Sequence, residues 1–208
     1  MGSHRPVLFT EGTRLPPFAD AGTRLVQVSE SVMEAVSPMQ TPQGVVFSCL
    51  MGGDEPPARL EPGRYLLLEG VQDPGNVGTI LRTADAFDAS GLFLLEGCAD
   101  LYNPKTVRAA MGVHFRRPVW RCGLEQAAAL VKDAGLPLYG AALREDTRDV
   151  RQVDLRRAAV LVGSEGRGLS PAALAACDLT VKIPMSEHCE PLNAAVAAAV
   201  RLGEAARG

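Results

Sequence analysis

Three polar segments of the chain contain the residue types best suited to chemistry. They are 73–78 (DPGNVG), 163–170 (GSEGRGLS) and 184–193 (PMSEHCEPLN), and each is rich in Gly or Pro. The second is neither a P-loop nor a dinucleotide fingerprint, because it has no lysine for phosphate groups and its glycines run G-x-x-G-x-G. Glu165 within it would repel a phosphate. The segment therefore favours a backbone-lined pocket for an uncharged nucleoside or a cationic ligand.

The surrounding sequence predicts an α/β domain with a mostly parallel sheet. From residue 65 onward, short apolar runs alternate with amphipathic stretches, which is the pattern of strand–helix repeats. Strands are predicted at 45–50, 65–69, 92–95, 138–141, 159–162 and 179–183, and helices at about 29–36, 77–89, 104–111, 124–134, 171–177 and 193–206. Because strand-to-helix loops of a parallel sheet leave at the same edge, we expect the three polar segments to converge there.

Length and composition allow one full-sized domain and a small appendage. The 208 residues are 47% hydrophobic and 22% charged, as in ordinary globular chains. We place the division between a turn-rich N-terminal element, 1–44, and a larger domain, 45–208. No apolar run reaches the roughly 18 residues of a membrane span, so no membrane role is predicted. Five cysteines without C-x-x-C spacing favour a reducing cytoplasm over a disulfide framework or a zinc site.

The charge balance gives little support to a nucleic-acid partner on its own, since the formal net charge is −3. A local basic cluster is nevertheless present, and it is a candidate track for an RNA backbone. Its members are Lys105, Arg108, Arg116, Arg117 and Arg121. Each of them taken singly could equally be a solvated surface charge. His114, His188 and Cys189 do not form a ligand set, and we expect no metal site.

Taken together, the polar segments resemble the motifs of the SpoU-type, or TrmH-like, RNA 2′-O-ribose methyltransferases of the SPOUT superfamily. The matching stretches are DPGNVGTILRTADAF at 73–87, LVGSEGRGLS at 161–170 and IPM…PLNAAVAAAV at 183–200, with NPKTVRAAMG, FRRPV and TRDV in order between them. The resemblance implies an α/β fold with helices on both faces of the sheet, a C-terminal deep trefoil knot, and a homodimer. It also implies S-adenosyl-L-methionine as cofactor and methylation of a ribose 2′-hydroxyl in ribosomal RNA or, second, transfer RNA.

The resemblance assigns catalytic roles to Asn76, Arg82, Glu165 and Asn193. Arg82 would accept the ribose hydroxyl proton. A guanidinium with a solution pKa above about 12 is a weak base, so contact with substrate phosphate or transition-state positioning are alternatives, as is an ordinary surface arginine. Both asparagines also suit a helix N-cap, and Glu165 also suits capping of the short helix near Ser170.

The family positions that hold the cofactor adenosine correspond to Gly163, Ile183 and Leu192, flanked by Leu161 and Met185. For the last two, core packing is an equally good explanation. The 1–44 element would be a reduced or truncated form of the RNA-substrate-binding domain that often precedes the methyltransferase.

The third motif departs from the family pattern. The family usually has serines on either side of the Leu-Asn pair, but here Pro191 precedes the pair and Ala194-Ala195 follow it, so two hydroxyl-bearing positions are lost. Gly203 stands where an aromatic is common. These departures and the negative net charge favour one alternative, a non-catalytic RNA-binding or assembly protein that keeps the knotted scaffold. A weaker alternative is an enzyme of the same fold that methylates a base nitrogen.

Overall fold

The computed structural model describes residues 6–15, 23–144, 147–186 and 192–206. They belong to two compact units, Met1–Gly52 and Gly53–Gly208. The first contains β1 (Val7–Phe9), β2 (Leu25–Gln27), α1 (Glu30–Val36) and β3 (Val45–Phe47), with strand order β2-β1-β3. The division lies later than the predicted one after residue 44, because β3 pairs antiparallel with β1 and is part of the small sheet.

The second unit contains a seven-stranded sheet of order β6-β5-β4-β9-β7-β10-β8, in which the described pairings are all parallel. Its strands are β4 (Tyr65–Leu68), β5 (Gly91–Leu94), β6 (Val119–Arg121), β7 (Leu138–Ala141), β8 (Arg148–Asp149), β9 (Ala159–Val162) and β10 (Leu179–Lys182). Its helices are α2 (Pro74–Ala86), α3 (Pro104–Ala110), α4 (Leu124–Asp133), α5 (Pro171–Ala176) and α6 (Ala194–Ala206), with 3-10 turns at Val113–Phe115 and Val150–Gln152.

Helices cover both faces of this sheet, as predicted. Successive side chains of a strand point to opposite faces. Leu66 and Leu68 of β4 therefore pack in one buried cluster with residues of α2 and α6, whereas Tyr65 and Leu67 pack in another with residues of α4 and α5. The alternation explains why every residue of β4 is apolar and buried. Within the described part of the chain, no helix is long and apolar enough to cross a membrane.

Helix α2 begins earlier than the predicted residue 77. Asp73 is its N-cap, with Oδ1 accepting from the backbone N–H of Asn76 at 2.8 Å, and Pro74 occupies the first turn, where its missing N–H costs nothing. Asn76 therefore lies within the first turn rather than at the cap, and its side chain is available for other contacts. The N-cap reading of Asn76 is wrong.

Three strand-to-helix loops leave at one edge of the sheet. The loops after β4 and β9 are neighbours because these strands pair in register, Leu68 opposite Val162. The direction of strand order reverses here, since β5 and β6 lie on one side of this pair and β7, β10 and β8 on the other. Such a reversal in a parallel sheet opens a crevice at the carboxyl ends of the strands, which is where ligands bind.

Candidate active site

One carboxylate oxygen joins the three polar segments. Glu165 Oε1 accepts from Asn76 Nδ2 at 2.8 Å, from Asn193 Nδ2 at 2.6 Å and from the backbone N–H of Ala194 at 3.0 Å. Asn193 Nδ2 also lies 3.3 Å from Asn76 Oδ1. Three of the four residues assigned to catalysis are therefore in direct contact, although as many as 117 positions separate them in sequence.

The orientation of both amides is set by their other contacts. Asn193 Oδ1 accepts from the backbone N–H groups of Ala195 and Val196, which caps α6 and turns the amide nitrogen towards Glu165. Its N-cap reading is thus correct and compatible with contact to the carboxylate. Glu165 itself does not cap α5: that cap is Ser170, whose backbone N–H and hydroxyl both donate to Glu69.

Glu165 lies at the N-termini of two helices and has no cationic partner among the described residues. Its contacts come from the first turn of α2 and from the start of α6, where the helix dipoles favour an anion. All three contacts use Oε1, and the described residues supply no hydrogen bond to Oε2. The cluster therefore holds one exposed carboxylate in place without neutralising its charge.

Arg82 is not part of this cluster. It lies on α2 six residues after Asn76, about 9 Å along the helix axis, and it is exposed. Within the described ranges no hydrogen bond or ion pair of its guanidinium is observed. No polar contact with the described fold therefore explains an arginine at this position. Its neighbours Ile80, Leu81 and Ala84 are fully buried, which accounts for the apolar stripe beside it.

The turn at 163–168 requires glycine at its first position. A Cβ on Gly163 would overlap the carbonyl carbon and oxygen of Gly168, and Gly168 has φ +66°. Ser164 and Gly168 form an isolated antiparallel bridge that closes the turn. The close approach of the two backbones therefore leaves no room for a side chain at Gly163.

A cavity of about 400 Å³ lies on one side of this turn, and we term it the donor cavity. Among its lining residues are four of the five predicted cofactor residues, namely Gly163, Ile183, Met185 and Leu192. Leu161 does not line it, because its side chain is fully buried in the core on the α4–α5 face of the sheet. The volume is within the 300–1,000 Å³ of small-molecule sites, and a mostly apolar lining with main-chain polar groups suits an adenosine.

A second cavity, of about 620 Å³, lies on the other side of the same turn, and we term it the acceptor cleft. It extends over the ends of β4 and β5 and includes Glu69, Asp73, Asn76 and Glu96. The two cavities share Ser164, Glu165, Arg167, Gly168, Leu169 and Ala194. Glu165 is thus the one acidic residue among those that line both cavities in the described part of the chain.

The predicted basic track is largely paired with acids of the same unit. Arg116 and Arg117 both contact Asp85 at the end of α2, at 2.8 and 2.7 Å. Their guanidinium groups, that of Arg117 most strongly, hold the pKa of Asp85 below its usual value. Lys105 contacts Asp73 at 2.7 Å and is the main reason why the pKa of that carboxyl is low. Arg121 pairs with Asp54 and Asp100.

Sequence reasoning did not single out Glu69 or Arg201. Glu69 was detectable as a charged residue at the end of a fully apolar strand. Arg201 was detectable as a charge within the buried stripe of α6, three residues after Ala198 and four before Ala205. It is only 7% exposed.

Among the residues that the structure describes, no group of three potential ligands could hold a metal ion. His188, Cys189 and Pro191 lie outside the described residues.

Known proteins are similar to this chain in both sequence and fold. A family model described as the SpoU rRNA Methylase family matches residues 63–203. The 23S rRNA (guanosine(2553)-2′-O)-methyltransferase RlmP of Bacillus subtilis is 37% identical over 200 residues, which cover 96% of this chain and 79% of that protein. The tRNA (guanosine(18)-2′-O)-methyltransferase of Thermus thermophilus is 39% identical over 153 residues, covering 72% of this chain and 77% of that protein.

One similar protein has been solved with its cofactor bound. The SpoU methyltransferase AviRb from Streptomyces viridochromogenes, in complex with the cofactor AdoMet, superposes with a TM-score of 0.83 at 30% identity. The match covers 99% of this chain and 83% of that chain.

Proposed function

The chain belongs to the SpoU rRNA methylase family, and we propose that it transfers a methyl group from S-adenosylmethionine to a ribose 2′-hydroxyl in ribosomal RNA. The observation that carries the proposal is the Glu165 contact with Asn76 and Asn193 between two cavities. An S-adenosylmethionine-dependent RNA methyltransferase needs a donor site and an acceptor site that meet at one polar centre, and this arrangement supplies both.

The donor cavity fits the cofactor chemically. Its apolar side chains Ile183, Met185 and Leu192 suit the faces of an adenine, and the glycine turn offers main-chain groups for hydrogen bonds. When bound, S-adenosylmethionine supplies an electrophilic methyl group on a cationic sulfonium. Glu165 presents an unneutralised carboxylate next to this cavity, which favours positive charge there.

Asn76 and Asn193 act by position. Their amide nitrogens fix one oxygen of Glu165, and the first turns of α2 and α6 hold both asparagines rigidly. Such preorganisation supplies catalysis through alignment of the reacting groups, without reorganisation during the reaction. We propose that Arg82, which has no structural partner in the described chain, handles the hydroxyl proton or an adjacent substrate phosphate.

The altered third motif does not require loss of activity. Ala194 contacts Glu165 through its backbone N–H, which any residue other than proline would provide at that position. Asn193 keeps both its cap and its contact with the carboxylate. These contacts favour the enzyme over a non-catalytic assembly protein.

We further propose the finer features of the family for this chain. A C-terminal knot is supported by the strand order, since β9 and β10 each lie between strands that precede them in the chain. A homodimer is supported by the exposed apolar residues Val107, Met111 and Phe115 near α3 and Val196 on α6. The N-terminal unit would contribute to RNA binding, in a cytoplasmic setting.

The proposed RNA contacts are the basic residues whose side chains are most exposed. Lys105 and Arg116 have side chains that are 57% and 54% exposed, whereas Arg117 is 25% exposed and contacts two carboxylates. Lys105 and Arg116 are therefore proposed RNA contacts, and the exposed Arg108 is kept as a third. Arg117 is assigned instead to the ion pairs at the end of α2.

The test is transfer of a tritiated methyl group to total RNA from a strain lacking the protein, followed by mapping of the product. Arg82→Ala should lower the rate by about 100-fold or more while cofactor binding and thermal unfolding stay unchanged. Nuclease-resistant 2′-O-methyl dinucleotides should appear in digested 23S-type RNA. Full activity of Arg82→Ala would remove this residue from the mechanism, and methylated base nitrogens would replace the proposed reaction by the base-methylating alternative.

A further inference from the structure

A buried arginine lies in the donor cavity without a described acid to neutralise it. Arg201 is 7% exposed, and among the described residues its guanidinium contacts two neutral carbonyls, those of Ala197 at 3.1 Å and Val181 at 3.5 Å. Its Nε atom is buried and has no hydrogen-bond partner in the part of the chain that the structure describes. Burial without a described counter-charge lowers the pKa of Arg201 to about 10. A buried unpaired cation is costly, and proteins keep such groups mainly where they do chemistry or binding.

The position of Arg201 relates it to Glu165. Ala194, Ala197 and Arg201 form one face of α6, and all three line the donor cavity. Seven residues of helix correspond to about 10 Å, so the cavity has an acid near the start of α6 and a guanidinium about two turns further on. Of the described residues that line it, the other charged ones are Arg167 and Lys182, and both are exposed.

The charge pattern of the cavity matches that of one part of S-adenosylmethionine. The molecule carries a positive sulfonium, a positive ammonium and a single negative group, the carboxylate of its methionine portion. An unneutralised carboxylate favours the sulfonium, and a desolvated guanidinium favours the carboxylate through charge-assisted hydrogen bonds. The adenine and ribose are neutral and give no reason to bury a cation.

We propose that Arg201 binds the methionine carboxylate of S-adenosylmethionine in the donor cavity and so selects the intact cofactor over adenosine compounds that lack it. This inference rests on the proposed function. Arg201 is a cofactor-binding residue in this assignment, and it makes no contact with the methyl acceptor. The guanidinium, whose Nε has no partner among the described residues, carries N–H donors of the kind that a carboxylate accepts in pairs.

The test is calorimetric and does not depend on turnover. S-adenosylhomocysteine and 5′-methylthioadenosine are titrated into the wild-type protein, Arg201→Met and Arg201→Lys, and Lys182→Met serves as the matched control because it removes an exposed cation from the same cavity. Arg201→Met should weaken S-adenosylhomocysteine binding by about 10- to 100-fold and leave methylthioadenosine within about twofold. Arg201→Lys should give a smaller loss for the first ligand only, and Lys182→Met should change neither by more than about threefold.

Thermal unfolding without ligand gives an independent readout. Because an unpaired buried guanidinium destabilises the fold, Arg201→Met should unfold at the same temperature as the wild type or higher. A large fall in the unfolding temperature would mean that Arg201 has an acid partner within the chain, and this would overturn the proposal.

If Arg201→Met weakened the binding of both ligands equally, or of neither, this would also overturn the proposal. Failure of the wild-type protein to bind either ligand would instead refute the proposed function, and the inference with it.

Discussion

Two carboxylates at opposite ends of α2 are held in contrasting ways. Near the start of the helix, the donors that the described residues offer to Glu165 are uncharged N–H groups, from Asn76, Asn193 and Ala194. At the end of the helix, Asp85 receives the guanidinium groups of Arg116 and Arg117. The first carboxylate is held by neutral donors, whereas the second is held by two cationic side chains.

The difference follows from the helix itself. A carboxylate near a helix N-terminus is favoured by the peptide dipoles, so Glu165 needs no cation. A carboxylate in the last turn, such as Asp85, is disfavoured by the same dipoles and is retained because two arginines offset it. The contrast indicates that Glu165 is available to a cationic ligand and that the Asp85 cluster holds structure together. The following predictions test whether that division is correct.

The largest effect is expected from Glu165→Gln. The substitution keeps the volume and one oxygen for the amide contacts but removes the charge, so methyl transfer should fall by about 100-fold or more. Single-turnover methylation measures this loss, and circular dichroism melting checks the fold. Wild-type-like transfer by the variant would show that the charge has no role and would abolish the distinction between the two carboxylates.

The next largest effects are expected from Asn76→Asp and Asn193→Asp, each of which should lower the rate of methyl transfer by about tenfold or more. Both substitutions place an oxygen where the amide nitrogen donates to Glu165, so a hydrogen bond is replaced by repulsion between carboxylates. Asn193→Asp should also keep the α6 cap, because Asp is as good an N-cap as Asn. Unfolding in urea separates the two effects, and activity that recovers as the pH is lowered towards 5 would support repulsion as the cause.

Asp85→Asn is expected to change stability and not activity. The loss of two partly exposed ion pairs should cost about 1 kcal/mol in the free energy of unfolding at pH 7, measured by urea titration. Since the arginines lower the pKa of Asp85 in the folded state, its contribution is complete above the unfolded value of about 3.9 and is lost as the pH falls through the folded value.

The difference in the free energy of unfolding between wild type and Asp85→Asn should therefore be constant from pH 7 to about pH 5 and become smaller below about pH 4. A large loss of methyl transfer at unchanged stability would move Asp85 into the active centre and contradict the comparison.

The smallest effect is expected from Lys105→Ala. If this exposed lysine contacts an RNA phosphate, its removal should weaken RNA binding a few-fold and reduce the slope of log affinity against log salt by about one. Arg117→Ala is the matched control, which should lower stability and leave the salt slope unchanged. Filter binding at several salt concentrations measures both, and an equal change of slope in the two variants would contradict the assignment of Arg117 to structure.

Much of the fold was predictable from local pattern. Alternating apolar runs and amphipathic stretches predicted β4, β5, β7, β9, β10 and the helices to within a few residues. The short strands β6 and β8 were missed, because Val119–Arg121 is short and Arg148–Asp149 has no apolar residue, so pairing with neighbours is what makes them strands.

The site was predictable to the extent that the motifs are contiguous. The resemblance identified Asn76, Glu165 and Asn193, and the structure joins them. It did not reveal that Arg116 and Arg117 share Asp85, since the basic cluster alone suggests free charges. The resemblance also did not identify Arg201, whose significance depends on which face of α6 lines a cavity.

By itself, the sequence determined most strands and helices of the larger unit, the start of α6 at Asn193, and the three segments that carry the chemistry, because these depend on residues close together along the chain. Only the tertiary structure decided which charges are neutralised and which are not. Glu165 and Asn76 are 89 positions apart, and Asp85 and Arg117 are 32. The energy of an ion or hydrogen bond depends on separation in space and on burial, and both are fixed only when strands and helices pack.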